Sequence, residues 1–255
     1  MKNFFVLASL ALLAVGGCTT DDNPSTSGGE GTMQVTMVDA PTTNYDSIVV
    51  VITEVSVQSN ATAASWITLS SESKTVNLLS LVNGVEAVMG QAQLSAGTYS
   101  QMRLKLADSC WVYAAGVKIA LFVPSSEIKL NIHAEIQANV TYKLVLDFDA
   151  YKSLVMAAGR LVLKPVIRVL TTSSAGYIQG SINTRAGVTA FGNGDTLSTM
   201  TGASNSFKIM YAKPGTYSLT VISADALYYD TTLTNISVVS GQVTNVGMIT
   251  LRGKL

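Results

Sequence analysis

Tyr99-Ser100-Gln101-Met102-Arg103-Leu104-Lys105-Leu106 (YSQMRLKL) decides the fold class. Gln101, Arg103 and Lys105 fall on one side of an extended chain, and Met102, Leu104 and Leu106 on the other. A period of two is the signature of a strand with one face buried. The same alternation recurs outward from here. In Lys129 to Gln137 (KLNIHAEIQ) it points Leu130, Ile132, Ala134 and Ile136 inward. Gln34 to Val38 alternates too, and Ser47 to Gln58 (SIVVVITEVSVQ) is a β-branched run. Thr141 to Phe148 and Leu161 to Leu170 read as two more strands, with Asn83-Gly84, Ala96-Gly97 and Pro124-Ser125-Ser126 as turns. Only Leu78 to Leu81 and Tyr151 to Ala158 suggest helical turns.

Thr171-Thr172-Ser173-Ser174-Ala175-Gly176 reads as a short polar linker. Beyond it, Tyr177 to Asn183, Val188 to Phe191, Ser206 to Met210, Tyr217 to Ser223, Thr232 to Val239 and Val243 to Leu251 are short strands, and Gly192 to Asp195 is a turn. Roughly eighty residues at this spacing fit a small sandwich. One phrase occurs in both blocks: Ser95-Ala96-Gly97-Thr98-Tyr99-Ser100 mirrors Lys213-Pro214-Gly215-Thr216-Tyr217-Ser218. Each precedes an apolar strand, with Gly at the turn and Tyr starting the strand.

The chain of 255 residues has 13% charged residues, 16 basic and 16 acidic, which excludes a solvated disordered chain and a basic field for nucleic acid. One His and two Cys exclude most His/Cys metal sites and a disulfide scaffold.

The first residues read MKNFFVLASLALLAVGGC. Lys2 is a positive start, and Phe4 to Val15 is apolar, too short to span a bilayer as a helix and the right length for a secretory leader. Val15-Gly16-Gly17-Cys18 resembles the lipobox of bacterial lipoproteins, which implies lipidation of Cys18 and cleavage before it. TTDDNPSTSGGEGT then forms a flexible polar tether of roughly 20 Å r.m.s.. Thr19 after the Cys resembles the outer-membrane sorting signal. The organisation expected is a signal peptide over 1–17, lipidated Cys18 and tether over 18–31, and β-domains over 32–172 and 176–255. The fold expected is all-β, two tandem antiparallel β-sandwiches.

The first block resembles the bacterial lipoprotein domain DUF4382. Val38-Asp39-Ala40-Pro41, Trp66-Ile67-Thr68-Leu69, Asn77 to Leu81, Leu94 to Tyr99 with Arg103-Leu104, Val123 to Ser126, Leu146-Asp147-Phe148-Asp149 with Ser153, and Leu163 to Ile167 carry the resemblance, in family order. Val38 stands where the family has Thr, and Ile128-Lys129 where it has Gly-Lys. The resemblance implies a kind of protein and no reaction. The second block resembles the carboxypeptidase regulatory-like, or prealbumin-like, domain through Ile178 to Ile182, Val188-Thr189-Ala190 and Pro214 to Val221. That resemblance implies an accessory module in a fold group with glycan-binding members.

Chemistry-bearing residues are few. His133 alternates with Asn131 and Glu135 on a polar strand face, and there is no G-x-S-x-G, H-E-x-x-H, P-loop or C-x-x-C. Cys110 beside Trp111 reads as a buried inert thiol. Asp147 and Asp149 share a strand face, with Asp39 in the Asp-Ala-Pro turn. They suit turn capping or pairing with Lys152, Lys164 or Arg168, and calcium is the competing use. Trp66, Trp111, Tyr113, Tyr228 and Tyr229 are candidates for a sugar platform. The expectation is a non-catalytic envelope lipoprotein without metal or cofactor, on the outer membrane through the lipid on Cys18. Its role is structural, adhesive or binding, toward an envelope protein or a glycan and not nucleic acid. Carbohydrate binding through the prealbumin-like fold is the alternative.

Overall fold

The computed structural model describes residues 28–40, 45–60, 65–170 and 172–254. The leader and Cys18 lie outside the described residues. In the first block the strands are β1 (Glu30–Ala40), β2 (Ser47–Ser59), β3 (Trp66–Ser70), β4 (Lys74–Asn77), β5 (Ala87–Ser95), β6 (Gly97–Leu106) and β7 (Trp111–Ala114). They continue as β8 (Val117–Ala120), β9 (Glu127–Ile136), β10 (Thr141–Asp149), β11 (Leu154–Ala157), β12 (Arg160–Leu163) and β13 (Ile167–Leu170). One sheet runs β8-β7-β2-β6-β9, with β3 and β4 on the other edge of β2; the second runs β13-β10-β1-β5. A single core lies between them, with Met33, Val35 and Met37 of β1 and Leu144, Leu146 and Phe148 of β10 meeting Met102, Leu104 and Leu106 of β6.

The alternation in β6 is realised as read. Its apolar face is buried, and Arg103 and Lys105 on the other face reach Glu54 at 2.9 and 2.7 Å. Lys105 above all, and then Arg103, hold the Glu54 carboxyl below its ordinary range against the cost of burial.

The second block holds β14 (Gly176–Ile182), β15 (Ala186–Gly192), β16 (Asp195–Met200), β17 (Ser206–Ala212), β18 (Gly215–Ser223), β19 (Thr231–Val238) and β20 (Val243–Ile249). Sheets β17-β14-β20 and β16-β15-β18-β19 enclose a separate core containing Ile178, Val188, Phe207, Tyr217 and Leu219. β16 was not among the strands expected, because Thr196, Ser198 and Thr199 hide its apolar content.

The fold is all-β, and it departs from the sequence reading at several points. β1 pairs β10, and β14 pairs β20, in parallel, within otherwise antiparallel sheets. A parallel neighbour requires a long crossover, which no local pattern announces. Strand β1 takes in Glu30 and Gly31, expected as tether. Of Tyr151 to Ala158, only the start is helical, as α1 (Ala150–Ser153); Leu154–Ala157 is β11, and Ala158 is in the turn that follows. Leu161 to Leu170 is two strands in different sheets. Pro165 has no N–H to donate, and the neighbouring Lys164 and Val166 N–H groups turn to Ser153, at 2.8 Å each. The linker is a packed turn, with Ala175 buried and Thr172 Oγ1 donating to the Lys143 carbonyl at 3.2 Å.

The repeated phrase is one structural device used twice. Gly97 and Gly215 both have φ +148°, open only to glycine. Two residues on, the Tyr99 hydroxyl donates to the Ser95 carbonyl at 3.0 Å, and the Tyr217 hydroxyl to the Lys213 carbonyl at 3.1 Å. Both rings are buried, so each Tyr fills a core while its hydroxyl closes the turn behind it.

Among the described residues, four two-residue turns have positive φ at both positions: Asn83-Gly84, Ala115-Gly116, Ala158-Gly159 and Asn193-Gly194. Asn relieves the left-handed conformation with its own side chain, whereas a residue with an apolar Cβ bears about 1–2 kcal/mol of strain.

Candidate functional site

β10 is buried on both faces. Leu144, Leu146 and Phe148 face the first core. Val145, on the opposite face, packs with Ala175 and Tyr211, flanked by Val38, Leu170, Tyr177 and Met210. The second block therefore covers part of the outer face of the first block's smaller sheet.

Two polar sets cross this junction. In one, the Tyr211 hydroxyl donates to Glu86, while Lys143 Nζ lies 2.5 Å from Glu86 and 3.0 Å from the Tyr211 oxygen. Tyr211 has φ +59°, an uncommon conformation for so large a residue. Burial first, and then Glu86, push its phenol far above the ordinary value, so it remains a proton donor. Beside it, the Asn83-Gly84 turn enters the second block, and the Asn83 N–H donates to Thr199 Oγ1 at 3.0 Å. In the other set, Arg168 holds Asp147 through Nε, at 3.0 Å, and Nη2. Its Nη1 lies 3.8 Å from Asp195, which Lys213 approaches at 3.4 Å. Between the blocks opens a cleft of about 620 Å³ lined by Lys129, Asn131, Arg168, Asp195, Tyr211 and Lys213. That size suits a small ligand, but Lys129, Arg168 and Lys213 are each already paired with a carboxylate.

The structure places Asp147 and Asp149 in different roles. Asp147 anchors Arg168 at the junction. Asp149 starts α1, accepting the Lys152 N–H at 3.0 Å and pairing with Lys152 Nζ at 2.6 Å. Asp39 Oδ1 accepts the Ala150 N–H at 2.9 Å. Among the described residues, no group of three His, Cys, Asp or Glu side chains is placed to hold a metal ion. His133 is exposed. Cys110 is buried, its Sγ donating to the Ala107 carbonyl at 3.3 Å, and burial pushes the thiol above its ordinary value.

The aromatic candidates do not converge. Trp66 pairs with Gln58 and Trp111 with Val49, nine positions or about 30 Å apart along β2. Arg103 stacks over Trp66 at 4.6 Å and Lys118 over Trp111 at 4.0 Å; Tyr113 is exposed. Tyr228 packs on the second core, and Tyr229 sits beside Arg252 and Lys254. The sequence reading missed Glu86, Lys143, Thr199 and Tyr211, which no motif marks.

Asp147 yields a pH-dependent expectation. Burial raises its carboxyl more than Arg168 lowers it. A raised folded value means that the folded state holds the proton more tightly. The contribution is full below the unfolded value, near 4, and is lost as pH rises through the folded one. Asp147→Ala, which removes the acceptor of Arg168 and does not titrate, should cost about 1–2 kcal/mol in acid. The Tm gap to the wild type should narrow as pH rises from about 4. Calcium or a chelator should leave the wild-type Tm in place. A gap that widens with pH, or a calcium-dependent Tm lost in the variant, contradicts this reading.

Residues 30–165 match the family described as "Domain of unknown function (DUF4382)". No curated protein matches the sequence. Among solved structures, the chain is similar to GBS52, the minor pilin of the Gram-positive pathogen Streptococcus agalactiae, at 13% identity and a TM-score of 0.24, covering 88% of this chain and 97% of that one. It is similar to the shaft pilin SpaA of Lactobacillus rhamnosus GG at 9% identity and a TM-score of 0.24, over 88% and 99%. It is also similar to BcpA, the major pilin subunit of Bacillus cereus, at 10% identity and a TM-score of 0.24, over 88% and 71%.

Proposed function

This chain belongs to the DUF4382 family, and on that premise we propose that it is a non-catalytic bacterial envelope protein, anchored by lipid on Cys18, with a structural or adhesive role. One observation carries the proposal: two polar sets and an apolar cluster close the junction between the blocks. Side chains of the kind that would serve catalysis are spent on holding the structure: Asp147 on Arg168, Asp149 on Lys152 and Tyr211 on Glu86. A stiff two-block body on a flexible tether suits display from a surface. The blocks, meeting near residues 171–176, are two domains, and the second is a carboxypeptidase regulatory-like sandwich. The Phe4 to Val15 run before Gly16-Gly17-Cys18 supports the anchor and an outer-membrane location. Two or more acyl chains give stable anchoring where one is marginal. Metabolic labelling with a fatty acid should mark the wild type and not Cys18→Ser; equal labelling rejects the anchor.

A second reading, carbohydrate binding, is favoured by a groove of about 520 Å³ on the β17-β14-β20 sheet. Asn83, Gln179, Ser181, Ser206, Lys208 and Asn245 line it, and their amides and hydroxyls match the hydrogen-bonding groups of sugars. Binding on a glycan array that Gln179→Ala abolishes would establish it.

A further inference from the structure

Gln179 of β14 is paired with Lys208 of β17 on one side and with Asn245 of β20 on the other. Directly opposed residues of a sheet share a face, so the three side chains form one row, at about 4.8 Å per strand. Their neighbours in sequence, Ile178, Phe207, Ile209 and Val246, pack on the second core, so the row lies on the outer face. Two residues along, Ser181 stands between Ser206 and Met248 in a second row. Both rows line the groove of about 520 Å³.

The first row consists of donors that the protein leaves unspent. Lys208 forms no ion pair with a described residue, and its ammonium lies 5.1 Å over the Tyr177 ring. The Gln179 amide makes no hydrogen bond to a described residue. Asn245 accepts the Gly247 N–H through Oδ1 at 3.0 Å, which leaves its Nδ2 to donate. Among the described residues, no Asp or Glu lines the groove. The cleft between the blocks differs on this point, because Lys129, Arg168 and Lys213 there are each matched by a carboxylate.

Donors with one positive charge and no acid beside them select a ligand rich in acceptors and carrying a negative charge. The charge is single and its neighbours in the row are neutral amides. A polyphosphate backbone would call for several cations along the groove, and Lys208 is alone there. A uronate unit fits the row: one carboxylate, with hydroxyl oxygens around the same ring for the amides. The Ser206 and Ser181 hydroxyls, about 7 Å farther along the strands, face the next unit of a chain.

We propose that the row Lys208–Gln179–Asn245 binds a uronate unit of an acidic polysaccharide. Lys208 takes the carboxylate, and the Gln179 and Asn245 amides take hydroxyl oxygens of the same unit. The proposal rests on the carbohydrate reading of this groove and specifies the class of sugar.

Titration of the full chain with trisaccharides of galacturonate and of glucuronate, each as the acid and as the methyl ester, tests the proposal. The ester keeps the hydroxyls and loses the charge. The wild type should bind one of the acids roughly tenfold more tightly than its ester, a preference that shrinks as salt is raised. Lys208→Met, which keeps the stem over Tyr177, should bring the acid down to the affinity of the ester, and Lys208→Arg should keep the preference. Gln179→Ala should abolish binding of both forms. If acid and ester bind the wild type equally, or if a glycan array shows binding to neutral sugars alone, the uronate proposal is overturned and the carbohydrate reading stands. If no trisaccharide binds and the array is blank, both fall. A polyglutamate peptide that binds as tightly as the acid also overturns the proposal, since charge alone then suffices.

Discussion

Tyr211→Ala is expected to turn one cooperative unfolding transition into two. Tyr211 belongs to the second block, yet its ring packs on Val145 of the first and its hydroxyl donates to Glu86 there. Truncation empties the centre of the junction cluster, a change that typically costs about 3–5 kcal/mol for a large buried aromatic. It also leaves Glu86 and Lys143 with only each other. Most of that loss falls on the coupling between blocks, because each core is otherwise complete. Calorimetry should therefore show the two cores melting separately, and limited proteolysis should find the turn at Ser173–Gly176 newly open. Tyr211→Phe keeps the ring and loses only the hydroxyl, so it should cost about 1–2 kcal/mol and retain one transition. A single unshifted transition in Tyr211→Ala would mean that the junction contributes nothing to coupling.

Tyr217→Ala should destabilise the second block by about 3–5 kcal/mol, since the ring is fully buried among Ile178, Leu219 and Phe207. Tyr217→Phe removes only the bond to the Lys213 carbonyl and should cost about 1 kcal/mol. Tyr99→Ala and Tyr99→Phe should repeat both values in the first block, because the hydroxyl there makes the same bond to the residue four back. Denaturant midpoints of the four variants measure this. Equal losses for Phe and Ala at either site would show that the hydroxyl, not the ring, carries the effect.

Strand identity was legible wherever one face was buried and the other polar. β6 and β9 show it residue by residue, because the period of two is imposed by the pleat itself. β10 was legible as a strand, but not as one covered on both faces: Val145 and Asp147 look like the outer side of a half-buried sheet until Tyr211 and Arg168 are placed over them. Asp147 and Asp149 were correctly read as pairing and capping groups, with Arg168 and Lys152 among the partners named. That they part company, one to the junction and one to α1, follows from Ser153 and Pro165 bending the chain after Asp149. The five aromatics looked like one platform in a list of residues and are separate in space, since Gln58 and Val49, the β2 partners of Trp66 and Trp111, are about 30 Å apart.

The amino-acid sequence by itself determined the all-β class, most strand positions, the paired Gly-Thr-Tyr-Ser corners and the family. Each depends on interactions within a few residues, such as the pleat, a turn that admits only glycine, or a hydroxyl reaching four residues back. Only the tertiary structure decided the parallel pairing of β1 with β10 and the junction around Tyr211. Those features join residues 68 to 125 positions apart where they are polar, as in Lys143 with Tyr211 and Glu86 with Tyr211. No local pattern selects such partners, because the free energy that chooses them comes from burying whole faces against each other.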